Sequence, residues 1–178
     1  EEDMVMIGHA SVDLWVQSTA DDADLEACIT EVRPDGFESY IMCGWLRASR
    51  RALDETSTEL RPIQMHYETD VEPLAAGEWN YTRLEMMPFA HIFRAGSQIR
   101  VVVDTPGDSM ASWRFKLLEF EETPTHSIAH QADFASSIAL PLISTVAVPT
   151  ELPPCNSLRG QPCREYLPYD NTPFVEEP

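Results

Sequence analysis

Apolar and polar residues alternate in several short segments of this chain, with a period of two residues. In the clearest segment, residues 10–17, the apolar positions are Ala10, Val12, Leu14 and Val16. Because successive side chains of a β-strand point to opposite faces of a sheet, this alternation predicts a half-buried strand. Weaker versions of the pattern predict strands at 24–32, 40–46, 80–87, 98–104 and 113–120, and a last one at 137–148 that Pro141 interrupts.

The second and third predicted strands are joined by Pro34-Asp35-Gly36. Proline fixes φ and glycine readily adopts a positive φ, so these residues predict a tight turn, and the flanking strands a β-hairpin. Residues 47–55 favour a short helical turn, and residues 56–78 form a long polar segment without a clear period. A loop of that length in a compact domain is usually functional or packs on a neighbour.

Short strands separated by turn residues, at spacings of roughly ten residues, are typical of an all-β sandwich. The long connections favour a Greek-key or jelly-roll β-sandwich over a simple meander. After residue 148, Pro, Cys, Asn and Gly dominate and the alternation ends. We therefore predict a β-sandwich domain at residues 1–148 and an irregular C-terminal tail at residues 149–178, laid over the domain or over a partner.

The charge of the chain argues against two classes of partner. Acidic residues number 30 against 12 basic residues, which gives a net charge of −18. Nucleic-acid binding depends on Lys and Arg that neutralise phosphates, and anionic membrane surfaces also attract basic segments. No apolar run approaches the roughly 20 residues of a membrane-spanning helix. We therefore expect neither nucleic acid nor a membrane as a partner.

The four cysteines fall into two groups. Cys28 and Cys43 lie among apolar residues of predicted strands, where we expect them to pack as small hydrophobic side chains. Cys155 and Cys163 lie in the Pro- and Gly-rich tail, where two cysteines closing a short loop favour a disulfide and thus an oxidising, exported location. Free thiols and half of a metal site are the alternatives, although no CxxC or Cys/His spacing supports the metal.

No catalytic, cofactor-binding or metal-binding residue is predicted. An α/β-hydrolase nucleophile lies in Gly-x-Ser-x-Gly, and none of the seven glycines flanks a serine in this way. Gly107-Asp108-Ser109 resembles the opening motif of the SGNH esterases, but the chain has no Asp-x-x-His, so an ordinary turn is favoured. His126 and His130 stand four residues apart without the glutamate of a metalloprotease motif.

One basic and aromatic cluster stands out in this acidic chain, formed by Trp45, Arg47, Arg50 and Arg51. Trp and Arg are enriched in the energetic centres of protein interfaces, which predicts a surface that docks a neighbouring domain. The alternative is that the arginines pair with nearby acids such as Asp54 and Glu55. Both interpretations stay open at this point.

Seven short stretches resemble, in order, the C-terminal, non-catalytic domain of the Xaa-Pro dipeptidyl-peptidase and cocaine-esterase group of serine hydrolases. They include Pro34-Asp35-Gly36, Gly44-Trp45-Leu46-Arg47 and Phe93-Arg94-Ala95-Gly96, and together they span residues 8–143. Each stretch is weak alone, and their shared order carries the resemblance. Residues 104–122 depart from it, since many relatives have a Ser-rich, Phe-Pro-containing loop there.

The resemblance implies a galactose-binding-like jelly roll beside an α/β-hydrolase domain that carries a Ser-Asp-His triad and acts on peptide, amide or ester bonds. No family catalytic residue falls in the matched stretches, so none is assigned. Because the chain begins with Glu1 rather than Met, we expect it to be part of a longer enzyme. Its role would be to pack on that catalytic domain and shape its cleft, without turnover of its own, and a second copy of the chain is a further candidate partner.

A free-standing carbohydrate-binding module is the alternative function. Jelly rolls often bind sugars through exposed aromatic side chains, for which the candidates are Trp15, Trp45, Trp79 and Trp113. Tryptophan on a sandwich strand is more often part of the core or of an interface, which favours the accessory domain.

Overall fold

The computed structural model describes residues 2–106, 116–144, 146–158 and 160–168, whose regular structure is almost entirely β. The strands are β1 (Met4–Ser18), β2 (Asp24–Val32), β3 (Phe37–Arg47), β4 (Asn80–Phe93), β5 (Gln98–Asp104), β6 (His126–Ile128), β7 (His130–Gln131), β8 (Phe134–Ala135), β9 (Ser137–Ala139), β10 (Leu142–Ile143) and β11 (Cys163–Glu165). Short 3₁₀ turns occupy Ala48–Arg50 and Glu68–Asp70. Neither helical segment in the described ranges has the length or apolar character to span a membrane.

The first sheet is built around β1. β4 pairs with one edge of β1 over nearly its whole length, and β10, β9 and β6 pair in turn along the other edge. The second sheet has the order β11, β3, β2, β5, and a separate hairpin joins β7 to β8. Every pairing among the described residues is antiparallel and these sheets stay open, which confirms the predicted all-β sandwich.

The core lies between the two sheets and is formed by the face of each strand that the alternation predicts. It contains Ala10, Val12, Leu14 and Val16 from β1, Leu84, Met86, Phe89 and Phe93 from β4, Leu25, Ala27 and Ile29 from β2, and Ile41 and Leu46 from β3. Full burial of a large apolar side chain stabilises a fold by roughly 1.5–3 kcal/mol. A slip of one residue in register would expose a whole apolar face, so the pattern specifies the register strongly.

Two irregularities interrupt the long pairings. The register between β1 and β4 shifts between Gly8 and Ala10, and the register between β2 and β3 shifts between Ile29 and Thr30. A β-bulge of this kind sets two residues of one strand against one of its partner. Beyond the second bulge Cys28 faces Cys43, whereas an unbroken register from the hairpin turn would place Met42 there.

The C-terminal tail contributes regular structure to the second sheet. β11 pairs with the first residues of β3 and so becomes an edge strand. On either side of it, Tyr40 N–H donates to Pro162 O at 2.9 Å and Tyr166 N–H donates to Gly36 O at 3.0 Å. The outer edge of a strand presents backbone N–H and C=O groups that an extended segment satisfies. The tail predicted to be irregular therefore includes one short strand.

Two other predicted elements differ from the structure. The helical turn expected at residues 47–55 is a 3₁₀ turn at Ala48–Arg50, with β-bridge pairing at Leu53 immediately after it. The weak strand predicted at 113–120 falls partly outside the described residues, and its described portion, residues 116–120, has no strand structure.

The backbones of β3 and β4 come into direct contact at Gly44. A Cβ added to Gly44 would overlap the carbonyl oxygen of Glu85 and would lie 3.0 Å from the Cα of Met86. Only glycine permits so close an approach, since any side chain would force the two strands apart. The contact therefore fixes the spacing between the two sheets at this point.

Replacing Gly44 by alanine should lower the free energy of unfolding by at least about 2 kcal/mol, because the new methyl group meets backbone that cannot rotate away. Gly36→Asn is the matched control, since nothing lies within 4 Å of the Cβ position there and asparagine tolerates its φ of 85°. Chemical denaturation of both variants measures the effect. A change of less than about 0.5 kcal/mol for Gly44→Ala would contradict the contact.

Candidate functional site

Arg47, the first arginine of the predicted interface cluster, forms its hydrogen bonds with other residues of this domain. Its guanidinium group donates to both carboxylate oxygens of Asp24, at 2.8 and 3.0 Å. Asp24 is also its cross-strand neighbour, so the β2–β3 register brings the pair together. A further hydrogen bond of 2.9 Å reaches the carbonyl oxygen of Lys116. Arg47 thus ties residues 116–118 to the second sheet.

Arg50 and Arg51 hold the long loop between β3 and β4. Arg50 donates to the carbonyl oxygen of Tyr67 at 3.0 Å. Arg51 forms an ion pair of 2.8 Å with Glu72 and also donates to the carbonyl oxygen of Ala48. The acidic partners of the cluster are therefore Asp24 and Glu72 rather than the expected Asp54 and Glu55. Trp45 is partly buried opposite Glu26 in the register, and a docking role for the cluster stays a prediction.

Two of the aromatic candidates for sugar binding, Trp15 and Trp79, pack against other aromatic rings. Trp15 lies 5.1 Å from Tyr81 and 5.0 Å from Phe134, measured between ring centroids. Trp79 packs on the other side of Phe134 at 5.7 Å, so these rings hold the small β7–β8 hairpin against the first sheet. Trp113 lies outside the described residues. The carbohydrate-binding alternative stays a prediction.

A buried carboxylate lies at one end of the core. Glu31 accepts hydrogen bonds from His91 Nε2 at 2.9 Å, from Ser97 Oγ at 2.6 Å and from the backbone N–H of Arg94 at 3.1 Å. The Glu31 and His91 side chains are only 2% and 5% exposed. Burial alone raises the pKa of Glu31, but the hydrogen bonds from His91, Ser97 and Arg94 outweigh it and hold the pKa below its ordinary value.

A serine, a histidine and an acid thus meet, but not in the order that nucleophilic catalysis requires. A catalytic serine donates to the histidine, whose other nitrogen donates to the acid. Here the Ser97 hydroxyl donates to Glu31, and the second nitrogen of His91, Nδ1, lies 3.3 Å from the side-chain amide of Gln161. No base activates the Ser97 hydroxyl among the described contacts. Ser109, of the Gly-Asp-Ser motif, lies outside the described residues.

Two arginines fasten the C-terminal tail beside this buried carboxylate. Arg33, whose side chain is 2% exposed, donates to Asp35 at 2.6 Å and to the carbonyl oxygen of Pro153 at 2.7 Å. Arg94 donates to Asp3, to Thr150 Oγ1 and to the carbonyl oxygen of Glu151. The tail so held closes one side of a cavity of about 620 Å³, lined by Val5, Ile92, Leu152, Leu158, Glu31 and His91.

Sequence reasoning missed this centre. His91 is a single histidine without motif spacing, and Glu31 lies in a strand that reads as ordinary alternation. Their one sequence signal is a glutamate at an inward-facing position of β2, next to the Val32-Arg33-Pro34 turn. A charged residue at a core position is rarely buried unless it is paired, so it indicates a partner elsewhere in the chain.

Each of the two pairs of cysteines is joined by a disulfide. Cys155 and Cys163 form a disulfide across the tail loop, with Cα atoms 5.6 Å apart. Cys28 and Cys43 form a second disulfide between neighbouring strands, with Cα atoms 4.0 Å apart. The expectation that Cys28 and Cys43 pack only as small hydrophobic side chains is wrong, because the β2–β3 register sets them directly opposite each other.

Asp22 and Asp24 bind other residues of the domain, and His126 and His130 lie on separate strands. Asp22 accepts hydrogen bonds from the backbone N–H and the hydroxyl of Ser49, which positions the turn after β3. Asp24 forms an ion pair with Arg47. His126 lies in β6 and His130 in β7, two different strands rather than one helical face.

The comparisons with known sequences agree on one family. A family model described as the X-Pro dipeptidyl-peptidase C-terminal non-catalytic domain matches residues 1–137. Two proteins named as serine esterases, from Mycobacterium bovis and Mycobacterium tuberculosis, are each 30% identical to this chain over 139 residues. The alignment covers 76% of this chain and only 21% of each relative, so the chain spans about a fifth of their length.

Solved structures show the same relationship. A CocE/NonD family hydrolase from Staphylococcus aureus is 28% identical with a TM-score of 0.67, over 80% of this chain and 29% of that one. An aminopeptidase from the marine sediment archaeon Thaumarchaeota archaeon shares the fold, with 18% identity and a TM-score of 0.60, over 81% of this chain and 24% of that one. The family match ends at residue 137, so the C-terminal tail at residues 149–178 lies beyond it.

Glu31→Gln should destabilise the domain most at neutral pH. Because the folded-state pKa of Glu31 is lowered, its ionised hydrogen bonds contribute fully above pH 4.5, its unperturbed value, and are lost as the pH falls through the folded pKa. We expect a loss of about 1–3 kcal/mol at neutral pH that shrinks in acid. Unfolding free energies measured across this range, with exposed Glu55→Gln as control, check it. A loss that does not vary with pH would contradict it.

Proposed function

Because this chain belongs to the family of X-Pro dipeptidyl-peptidase C-terminal non-catalytic domains, we propose that it packs on the catalytic domain of a longer serine hydrolase. One observation carries the proposal: the chain aligns with 21% to 29% of its esterase and hydrolase relatives, and the family match defines that portion as non-catalytic. The nucleophile would then lie in the remainder of the polypeptide. The relatives' names support peptide, amide or ester bonds as the substrates.

The surface that suits this packing surrounds the arginine cluster. Tyr67, whose carbonyl oxygen binds Arg50, is 64% exposed, and Val71 in the same loop is 39% exposed. Leu117, next to the Lys116 carbonyl that binds Arg47, is 40% exposed. Aromatic, arginine and aliphatic side chains grouped in this way are typical of the centre of a protein interface. We call this surface, formed by Trp45, Arg47, Arg50, Arg51, Tyr67, Val71 and Leu117, the docking patch.

The internal hydrogen bonds of the docking patch favour recognition rather than oppose it. Arg50 uses one of its five N–H donors on the Tyr67 carbonyl in the described contacts, which fixes the direction of its guanidinium group. A side chain that is already ordered loses little further entropy when a partner binds. The patch thus presents the ordered guanidinium group of Arg50 beside exposed apolar side chains, a combination that suits an apolar face of the catalytic domain with an acidic group on it.

The role proposed for the domain is to support that catalytic domain and to form part of the rim of its cleft. Within the loop at 56–78, the part at 67–72, which Arg50 and Arg51 bind, is the part that would reach such a rim. Three of its backbone groups, the carbonyl oxygens of Tyr67 and Glu72 and the N–H of Glu72, are bound to Arg50, Arg51 and Ser49. Those hydrogen bonds would hold the loop in a fixed position relative to the sandwich when the loop contacts the catalytic domain.

Arg50→Glu in the full-length hydrolase should undock this domain from the catalytic domain. Truncating an arginine at the energetic centre of an interface commonly costs at least about 2 kcal/mol of binding free energy. Reversal of its charge should cost no less. Calorimetry should then resolve a separate unfolding transition for this domain, whereas the wild type unfolds with the two domains coupled. Arg50 is preferred over Arg47, because Arg47→Glu would also break the ion pair with Asp24.

Arg61→Glu is the matched control for this experiment. Arg61 is 56% exposed, and among the described ion pairs its partner is Glu85 of the first sheet rather than a residue of the docking patch. It should leave the unfolding profile of the full-length protein unchanged. If Arg50→Glu and Arg61→Glu both unfold as the wild type does, the docking patch is not the interface.

Ser97→Ala in the full-length hydrolase should leave turnover of a p-nitrophenyl ester or an Xaa-Pro anilide within about twofold of the wild type. The substitution removes one hydrogen bond to Glu31, which costs roughly 1 kcal/mol of stability, and no nucleophile. Loss of a true catalytic serine lowers kcat by about 10⁴-fold or more. A fall of that size would show that the chain belongs to the active site.

A further inference from the structure

The cross-strand cysteines share one face of the second sheet with a buried glutamate. Cys28 of β2 lies directly opposite Cys43 of β3. Glu26 stands two residues before Cys28, and residues so spaced on a strand point to the same face. Their carboxylate and sulfur atoms lie within 4.8 Å of one another. The neighbouring positions Leu25, Ala27 and Ile29 face the core, so this group lies on the opposite face.

The group is shielded from solvent on most sides. Glu26 is 6% exposed and Cys43 is 1% exposed. The nearest carboxylate oxygen of Glu26 lies 3.3 Å from the sulfur of Cys28. Reduction of the disulfide would place two thiolates beside the carboxylate of Glu26. The arrangement therefore offers three anionic ligands of a kind that a soft divalent cation prefers.

A path from solvent leads to this group. A pocket of about 350 Å³ is lined by Cys28, Thr30, Tyr40 and Val102 on the second sheet and by Cys163 and Arg164 of the tail. Cys28 forms part of the wall of the pocket, so a reductant or a hydrated metal ion can approach its sulfur. A site of this kind needs such an entry path in addition to its ligands.

We propose that Cys28, Cys43 and Glu26 form a redox-linked binding site for zinc or a similar soft divalent cation. A thiol or phosphine reductant supplies two electrons to the Cys28–Cys43 disulfide, the S–S bond breaks, and two protons convert the sulfurs to thiols. Binding of the cation then releases those protons, leaving two thiolates and one carboxylate as ligands. A water molecule completes the tetrahedral set that zinc adopts.

The strand geometry permits both states. Two thiolates on one tetrahedral zinc ion lie about 3.8 Å apart, since each Zn–S bond is about 2.3 Å long. Cys28 and Cys43 are directly opposed, with Cα atoms 4.0 Å apart, so both sulfur atoms lie within reach of one ion. Opening the disulfide and rotating the two side chains is therefore sufficient, and the backbone pairing of β2 and β3 is retained.

Titration of the full-length protein with Cd²⁺ alone tests the proposal. After phosphine reduction and removal of the reductant, the protein should bind Cd²⁺ with the ultraviolet charge-transfer absorption of Cd–thiolate bonds. The reduced protein that carries both Cys28→Ser and Cys43→Ser should bind one Cd²⁺ ion fewer through thiolates than the reduced wild type. The oxidised wild type should lack the absorption of that same ion. Cys155→Ser with Cys163→Ser is the matched control and should keep it.

Glu26→Gln separates the third ligand from the two sulfurs. It should keep the thiolate absorption but weaken Cd²⁺ binding at least about tenfold in competition with a chelator, because one anionic ligand is lost. An unchanged affinity would remove Glu26 from the site. Equal Cd²⁺ signals in the oxidised and the reduced wild type, a comparison that needs no substitution, would overturn the proposal. So would a signal that survives in the Cys28→Ser, Cys43→Ser protein.

Discussion

The contact between Gly44 and the Glu85 carbonyl is the constraint on which the positions of the other features depend. It joins β3, in the second sheet, to β4, in the first, with no side chain between them. β3 also carries Trp45 and Arg47, accepts β11 on its outer edge and pairs with β2 on the other. The docking patch, the tail and the Cys28–Cys43 pair are therefore all positioned by a strand that cannot shift relative to the core.

Period-two alternation was sufficient to predict the strands and the class of fold, because it reports which face of each strand is buried. Residues 24–32 and 98–104 are β2 and β5 as predicted, and the alternation at 10–17 lies within β1. What the pattern could not show is register. The bulge at Ile29 and Thr30 has no sequence signature here, yet it alone sets Cys43 rather than Met42 opposite Cys28.

The buried polar centre escaped prediction for a related reason. Glu31, His91, Ser97 and Gln161 come from β2, β4, the following turn and the tail, and no local spacing links them. By contrast, the candidate interface cluster could be singled out because Trp45, Arg47, Arg50 and Arg51 are close in sequence. Long-range polar contacts are a property of the folded chain, whereas a local cluster of unusual composition is visible before folding is considered.

The pairing of β11 with β3 has a consequence for solubility. An uncovered edge strand can recruit the edge of another molecule and begin an intermolecular sheet, and a paired edge cannot. Arg164 of β11 also donates two hydrogen bonds, from Nε and Nη2, to one carboxylate oxygen of the buried Glu38, which anchors the covering strand at its centre. The segment beyond the family match therefore leaves the three-residue strand Cys163–Glu165 as the edge of the sheet beside the first residues of β3, and a short edge is a poor template for another molecule.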